Sequence, residues 1–419
     1  MGISSAMYSG VSGLNASGNA MSVIGNNISN SNTVGFKTSR TVFSDLLSSS
    51  ISGSGGTSQV GRGVTTESVD NIFSQGTFQN TDSSTDLAVE GDGFFVLSQP
   101  SDGSRYYTRD GSFSFDSDGY LTSASGLRVQ GQAYDSNGNL LGGAPSDIRV
   151  QSGSLVPGST TSTITLTNNL DSGSTALATA PADINPADQS TYNFATGVQT
   201  YDTLGNAHTL TTYFAKDNGA NNTWDWTVYD EGGNMVTDSA SNGNSPLTYD
   251  SSGNLTGGSP ATIPATTWST GATNPQMTLN FSSTQYASTS QGISQNQNGY
   301  APGTLSKTSI DSDGNVIATY SNGQQEKVAS VALASFSNPE GLSKAGGNLY
   351  TQTTESGGAQ TGVSGPQHGT IFTNSLEQSN VDLGTEFVNM ITFERGYQAN
   401  SKVITTVDQM MQSLLSLKQ

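Results

Sequence analysis

Residues 3–28 read ISSAMYSGVSGLNASGNAMSVIGNNI, and residues 383–414 read LGTEFVNMITFERGYQANSKVITTVDQMMQSL. In both stretches apolar side chains recur at every seventh position, a spacing that keeps them on one face of a helix. The two stretches therefore predict terminal helices that pair as a coiled coil. The predicted seam, which would also serve polymerisation, consists of Ile3, Met7, Leu14, Met21, Ile24, Ile28, Leu383, Met390, Phe393, Tyr397, Ile404, Val407, Met411 and Leu414.

The N-terminal helix, predicted over about Ser4–Asn27, is unusual because the first 36 residues contain no charged side chain. An exposed amphipathic helix normally carries charges on its outer face. Each glycine inside the helix also costs up to about 1 kcal/mol relative to alanine. We therefore expect this segment to be disordered in the free monomer and to fold when neighbouring molecules bury it. A helical hairpin closing a monomeric domain is the alternative, but it leaves the uncharged face in water.

The composition between the helices indicates folded β-structure. Hydrophobic residues make up 32% of the chain and charged residues 11%, with 50 glycines, but aromatic residues at 8% are spread among alternating strands. The net charge of −19 disfavours nucleic acid and anionic membranes as partners. The chain has no cysteine, which excludes disulfides and thiol chemistry.

No signal peptide is visible, because the first basic residue is Lys37 and no compact apolar core precedes it. No apolar run approaches the length of about 18 residues that a membrane span needs. The sequence thus predicts no membrane insertion, and either a cytoplasmic protein or one exported without cleavage.

The predicted fold class is mainly β with terminal α-helices, in a nested arrangement with two β-rich domains between the helices. Acidic side chains greatly outnumber the single base, Lys216, in the inserted part. A short helix is expected near Thr41–Leu47, and a hairpin near Gly91-Asp92-Gly93. The expected domains are an inner helical domain at 1–30 and 378–419, an extended connector at 31–70 and 370–377, a middle β-domain at 71–150 and 290–369, and an outer β-domain insert at 151–289.

The residues that could carry chemistry do not form a recognisable active site. Four segments that resemble calcium loops, beginning at Asp116, Asp135, Asp250 and Asp311, fit tight turns better, since those at Asp116 and Asp311 lack the glutamate at position twelve. The two histidines, His208 and His368, lie in no recognisable nucleophile setting. We therefore expect no catalytic residue, no metal site, no cofactor and no enzymatic activity.

Both ends resemble the signatures of bacterial flagellar rod and hook proteins, an axial protein family. The similarity covers Ser9–Ala16, Ile24–Asn30, Asn32–Lys37, Ser379–Leu383, Glu386–Met390 and Glu394–Asn400, and the β-domain segments Asp86–Phe95 and Tyr107–Gly111. Four further segments and the large insert resemble the hook branch of the family more than the shorter distal rod proteins. These segments are Pro302–Leu305, Ser309–Asp311, Tyr320–Gln324 and Asn338–Leu342.

The resemblance implies a structural subunit of the flagellar hook, which polymerises into a curved hollow tube and acts as a universal joint transmitting torque from rod to filament. It implies an extracellular protein, exported without a cleaved signal peptide, with identical copies, the distal rod protein, the hook cap, the hook–filament junction protein and the type III export apparatus as partners. Phe43 and Leu47 resemble the export-gate recognition motif of such subunits, although the same residues suit an ordinary amphipathic turn.

Three alternatives stay open at this point. One is a distal rod protein of the same family. Another is a secreted β-rich adhesin or surface-layer protein with a helical anchor, which would not need paired heptad ends. The third is a carbohydrate-binding module that would use Trp224, Trp226 and Trp268 as exposed aromatics, although Trp224 and Trp226 share one strand face and suit a core better.

Overall fold

The computed structural model describes the backbone of residues 2–46, 49–53, 56–135, 137–151, 153, 155–268 and 270–416, and their side chains except at 2–3 and 49–60. The chain forms two compact units. The terminal unit comprises Met1–Ser152, Lys307–Ala318 and Gln325–Gln419, and the insert unit comprises Gly153–Ser306 and Thr319–Gln324.

Two long helices, α1 (Gly2–Ser29) and α2 (Leu383–Ser416), lie at the chain ends and pack against each other. Helix α1 ends where the Asn30 side chain donates to the Asn26 carbonyl oxygen at 2.9 Å. Helix α2 begins after Asp382, whose Oδ1 accepts the backbone N–H groups of Gly384 and Thr385. These two hydrogen bonds hold the pKa of Asp382 below its usual value. The predicted fold class, mainly β with two paired terminal helices, is confirmed.

The remaining elements are short strands and single 3₁₀ turns at Pro181–Asp183, Gln189–Thr191 and Pro339–Gly341. The strands of the described residues are β1 (Ser39–Asp45), β2 (Ser49–Gly53), β3 (Gly56–Val60), β4 (Val64–Asn71), β5 (Phe78–Asn80), β6 (Leu87–Glu90), β7 (Phe94–Ser98), β8 (Arg105–Thr108), β9 (Phe113–Phe115), β10 (Leu121–Ser123), β11 (Arg128–Ala133), β12 (Ser146–Asp147), β13 (Leu155–Val156), β14 (Thr163–Asp171), β15 (Phe194–Tyr201), β16 (Ala207–Lys216), β17 (Thr223–Tyr229), β18 (Met235–Asp238), β19 (Leu247–Tyr249), β20 (Leu255–Gly257), β21 (Ala261–Ile263), β22 (Thr266–Thr267), β23 (Thr273–Asn274), β24 (Met277–Tyr286), β25 (Gln291–Gln297), β26 (Gly303–Ile310), β27 (Asn315–Tyr320), β28 (Gln325–Val331), β29 (Leu333–Ser335), β30 (Ser343–Gly346), β31 (Leu349–Thr351), β32 (Gln360–Gly362), β33 (Thr370–Thr373) and β34 (Ser375–Glu377).

The core of the terminal unit is built on β7, every residue of which is buried. Its neighbours in the sheet run in the order β28-β11-β7-β8-β31-β30. The ring of Phe94 meets those of Phe336 and Tyr350 edge-on, with centroids 5.8 and 6.0 Å apart. Such aromatic contacts add to the stability that area burial already gives. The terminal unit therefore has an apolar β-sheet core in addition to its helix pair.

Two local predictions for this unit are wrong. The helix expected near Thr41–Leu47 does not form over the described residues, because 41–45 belong to β1, which pairs with β4 in an antiparallel ribbon. Leu47 itself lies outside the described residues. The hairpin expected around Gly91-Asp92-Gly93 does not form, because β6 pairs with β33 while β7 pairs with β8. In both cases the segment forms its backbone hydrogen bonds with a strand that is not its neighbour in the chain, β4 for β1 and β33 for β6.

The insert unit packs a four-stranded sheet, ordered β21-β24-β14-β25, and a six-stranded sheet, β15-β16-β17-β19-β20 with β18 on β17, around one apolar core. Trp224 and Trp226 are fully buried there, and the Phe281 ring lies 5.2 Å from that of Trp226. Trp268 is also buried. These three aromatics are thus core residues, which removes the exposed platform that a carbohydrate-binding module would need.

The four segments that resemble calcium loops are tight turns. At Asp116, Oδ1 accepts the N–H groups of Asp118 and Tyr120, two and four residues further on. The same pair of bonds recurs at Asp135, Asp250 and Asp311. Each carboxylate therefore caps its own loop, the interpretation that the sequence favoured.

The close approach of Gly111 to β6 generates the first testable prediction. A Cβ added at Gly111 would collide with the Leu87 carbonyl oxygen and lie 3.0 Å from the Phe95 ring. Gly111→Ala should therefore lower the free energy of unfolding by about 1–3 kcal/mol. Gly142→Ala, with nothing within 4 Å of the added atom, is the matched control and should change it by less than about 0.5 kcal/mol. Urea titration followed by far-UV circular dichroism measures both; equal midpoints would contradict the packing described.

Candidate assembly site at the paired termini

The face that α1 turns toward α2 is lined by small residues. A Cβ added at Gly10 would lie 3.1 Å from Ile404, and one at Gly13 would lie 2.6 Å from the Asn400 amide nitrogen. On the other helix, a Cβ added at Gly396 would lie 3.4 Å from the Ser17 hydroxyl. Small residues let two helix backbones approach closely. The closest contact between the helices thus runs along glycine and serine positions.

The structure distributes the predicted seam residues over several environments. Buried residues are Ile24 and Val407. Half-buried residues are Leu14, Met21, Ile28, Met390, Phe393 and Ile404, of which Ile404 lies beside Gly10. Exposed residues are Met7, Leu383, Tyr397, Met411 and Leu414, with 38–52% of their surface accessible. The side chain of Ile3 lies outside the described part. The role of this set in coiled-coil pairing and polymerisation stays a prediction.

Both helices expose more large apolar side chains than the heptad pattern indicated. Val388 is 64% exposed and Tyr8 is 68% exposed. The others are Val11, Phe387, Ile391, Val403, Met410 and Leu415. We call these eight residues, together with the five exposed seam residues, the apolar strip. Many exposed large apolar side chains on one pair of helices indicate a surface that binds another molecule.

The β1–β4 ribbon packs beside the helix pair. The backbone N–H of Val64 donates to the Ser12 hydroxyl at 3.2 Å, and the Asn19 amide donates to the Thr66 hydroxyl at 3.3 Å. The Phe43 ring lies 5.9 Å from that of Phe393 on α2. Phe43, one of the two predicted export residues, is therefore half-buried against the C-terminal helix in the folded subunit.

Two asparagines fasten the chain segments that adjoin the helices. The Asn27 side chain donates to the Ser39 carbonyl oxygen at 2.8 Å and accepts the Ser39 N–H at 3.0 Å. Asn380 Oδ1, shortly before α2, accepts the Thr38 N–H at 2.8 Å, and its amide donates to the Ile72 carbonyl oxygen at 2.9 Å. These bonds fix the exit of α1 against the entry of α2.

A buried ion cluster joins the segments next to the two helices to the β-strands of the terminal unit, which we call the β-body. Lys37 Nζ lies 2.6 Å from Glu377 Oε1, and Arg109 Nη1 lies 3.4 Å from Glu377 Oε2. The side chains of Lys37 and Glu377 are fully buried, and that of Arg109 is 1% exposed. We call these three residues the ion triad. It unites the segment after α1, the segment before α2 and the end of β8.

Further hydrogen bonds surround the ion triad, although the buried Arg109 Nε has no acceptor. Lys37 also donates to the Ser74 carbonyl oxygen at 2.7 Å, and Glu377 Oε1 accepts the Gly76 N–H at 2.8 Å. Arg109 donates to the Gly91 carbonyl oxygen at 2.6 Å. Burial lowers the pKa of both Lys37 and Arg109, and Glu377 opposes the shift in each. The carboxylate is thus what makes burial of two cations tolerable.

Sequence reasoning missed the ion triad. Its members lie far apart in the chain, so no local spacing relates them. One signal was available: Lys37 is the first charged residue after a long uncharged stretch. The carboxylate that balances it could be identified only from the fold.

The described residues contain neither a metal-binding cluster nor a membrane-spanning helix. Within them, no cluster of three or more His, Cys, Asp or Glu side chains is arranged to hold a metal ion. Neither α1 nor α2, over the residues described, is long and apolar enough to cross a membrane. The geometry of this region fits association between molecules.

Comparison with known proteins places each part of the chain. The matching family models are described as flagella basal body rod protein (residues 7–37), flagellar hook protein FlgE/F/G D1 domain (88–171), flagellar basal body protein FlaE D2 domain (169–300) and flagellar basal body rod FlgEFG protein C-terminal (373–417). Together they cover both helices and much of the β-structure between them.

Curated relatives match over nearly their whole length. The flagellar hook protein FlgE of Borreliella burgdorferi is 37% identical, over 98% of this chain and 99% of its own. That of Escherichia coli K12 is 35% identical, over 97% and 98%. A crystal structure of Helicobacter pylori flagellar hook protein FlgE2 covers 72% of this chain and 100% of its own, with a TM-score of 0.50 and 15% identity, and so supports the fold alone.

The ion triad gives the second testable prediction. Glu377→Gln leaves two buried cations without a counter-charge and should cost about 3–5 kcal/mol of unfolding free energy. Asp70→Asn removes the partner of Arg40 in a surface pair, where Arg40 is 61% exposed and the charges are 3.8 Å apart. That control should cost less than about 1 kcal/mol. Thermal unfolding followed by far-UV circular dichroism compares the two variants, and similar losses in both would show that the triad is energetically unimportant.

Proposed function

The chain belongs to the flagellar hook protein family and is a structural subunit of the hook, and we propose that it polymerises into a curved hollow tube that serves as a universal joint. The family is a structural one, and its members assemble with copies of themselves. Relatives named as hook proteins match along nearly the whole chain, so the distal rod alternative and the adhesin alternative are not favoured.

The observation that carries the proposal is the apolar strip on the helix pair. Helix α1 has no charged residue, and its Tyr8 is 68% exposed; on α2, Val388 is 64% exposed. Each exposed apolar side chain loses up to about 1.5–3 kcal/mol of transfer free energy by staying in water. Identical copies packed side by side around a channel would bury the strip, and because α1 carries no charged side chain, its part of the strip would be buried without stranding a charge.

The ion triad supports a role in torque transmission. It ties the segments next to both helices to the β-body through buried charges, so a force on the helix pair would reach the body without unfolding the connection. We propose that the helices form the inner wall of the tube, that 71–150 with 290–369 forms the middle of the wall, and that the insert at 151–289 lies outermost. A polar, acidic insert surface suits weak, hydrated contacts that slide as the joint turns.

Export and neighbouring partners follow from the same assignment. We propose passage through the type III apparatus without a cleaved signal, and contact with the distal rod protein, the hook cap and the hook–filament junction protein. A chain without cysteine is compatible with export in an unfolded state. Because Phe43 packs against Phe393 in the folded subunit, an export receptor could reach Phe43 freely only before folding.

The assembly role is tested by one substitution in the apolar strip. Ile391 on α2 is 50% exposed, so Ile391→Asp should lower the unfolding free energy of the monomer by no more than about 1.5 kcal/mol. It should abolish tube formation, because a carboxylate would be buried among neighbouring copies. Ala124→Asp adds the same charge at an exposed turn outside both helices and should still polymerise. Electron microscopy of polymerised samples gives the result, and normal tubes of the Ile391 variant would refute the proposed interface.

Folding on assembly is tested by helicity. We expect far-UV circular dichroism of the wild type to show more helix in polymers than in monomers, since glycine-rich α1 needs packing to offset its low propensity. Under identical conditions the Ile391→Asp variant should keep the monomer signal. Equal helicity of wild-type monomer and polymer would show that α1 is already folded in the free subunit.

A further inference from the structure

A buried histidine in the insert unit, which the assembly role does not use, lies between two carboxylates. His208 on β16 is 3% exposed; its Nε2 lies 3.0 Å from Asp202 Oδ2 and its Nδ1 lies 2.9 Å from Glu231 Oε1. Asp202 is in the turn between β15 and β16, and Glu231 is in the turn between β17 and β18. The imidazole ring stacks on Trp268 with centroids 3.8 Å apart and planes 2° from parallel.

The geometry identifies the protonation state. A neutral imidazole has one N–H and one lone pair, so it could satisfy only one of the two carboxylates and would direct its lone pair at the other. A protonated Asp202 could instead donate the second hydrogen bond, but Asp202 is ionised near neutral pH. Burial alone would raise its pKa, but hydrogen bonds from His208, Asn206 and Leu204 lower it to about 2. The imidazolium form satisfies both contacts and places a cation over the Trp268 ring.

We propose that His208 is a proton-dependent latch of the insert unit. As an imidazolium it ties the Asp202 turn, the Glu231 turn and Trp268 together, and loss of its proton loosens this edge. Trp268 extends the connection, because its indole N–H donates to Asn274 Oδ1 at 2.6 Å and the Asn274 amide donates to the Tyr201 carbonyl oxygen at 2.9 Å. The latch lies wholly within one unit and does not depend on assembly.

The charges around the ring determine the direction of the pH effect. Burial by itself lowers the pKa of His208, but Asp202 and Glu231 outweigh it and raise the pKa above 6.5. The neighbours from the other packed elements, Thr200 on β15 and Trp268 with Asn274, are uncharged. A raised folded-state pKa gives stability that is complete below about pH 6.5, the unfolded value, and is lost as pH rises through the folded value. At the acid end, the contribution of Asp202 is lost as pH falls toward its pKa of about 2.

The test uses intrinsic tryptophan fluorescence of the full chain during urea unfolding, because Trp224, Trp226 and Trp268 all lie in the insert unit. Between about pH 6 and about pH 9 the folding equilibrium constant of the wild type should fall, up to tenfold for each unit by which the His208 pKa is raised. His208→Gln should lose most of this dependence, whereas His368→Gln should retain it. Identical pH profiles for wild type and His208→Gln would overturn the proposal.

A second measurement keeps the proposal testable should His208→Gln fail to fold. In His368→Gln the single remaining histidine can be titrated by NMR in the folded protein, and its midpoint should lie above 6.5. Adding Glu231→Gln, which alters a side chain that is 48% exposed, should lower that midpoint. A midpoint at or below 6.5, or no shift on adding Glu231→Gln, would show that the two carboxylates do not hold the proton.

Discussion

Glu377 is a carboxylate buried between two cations, and the arrangement of the terminal unit depends on it. Lys37 reaches it from the segment after α1, and Arg109 reaches it from the end of β8. Removing the Glu377 carboxylate would leave both cations uncompensated in the interior. The two ends of the chain are therefore held together by an electrostatic requirement, in addition to contact between helices. Asn27 and Asn380 add neutral hydrogen bonds around the same junction.

The helix pair shows why an apolar heptad pattern does not by itself identify a contact. The seven-residue spacing correctly indicated two helices, and they do pack together. Their closest approach, however, runs through Gly10, Gly13 and Ser17, because small side chains allow short interaxial distances. Large residues such as Tyr8 and Val388 stay mostly exposed. A subunit that hides its small residues and exposes its large ones is suited to assembly with copies of itself.

The insert unit is stabilised differently from the terminal unit. Its core is ordinary, with tryptophans at its centre, and its Asp–Gly turns are capped by their own carboxylates. What distinguishes it is one buried cation, His208, held by two acids in a strongly acidic module. In both the ion triad and this latch, like charges lie close together and are stabilised by one group of opposite charge. In the first a carboxylate permits two buried cations, and in the second a cation permits two carboxylates to approach.

The sequence by itself determined the helices, the β-rich class and the turn role of the four aspartate segments, because each depends on residues close together in the chain. It could not determine that β1 replaces the helix expected near Thr41, or that β6 pairs with β33, because strand partners lie far apart in sequence. The ion triad and the surroundings of His208 were likewise inaccessible. Burial and charge pairing are properties of the folded chain. Only the tertiary structure therefore decided that Lys37, Arg109, Glu377 and His208, among the many polar residues, are buried and paired.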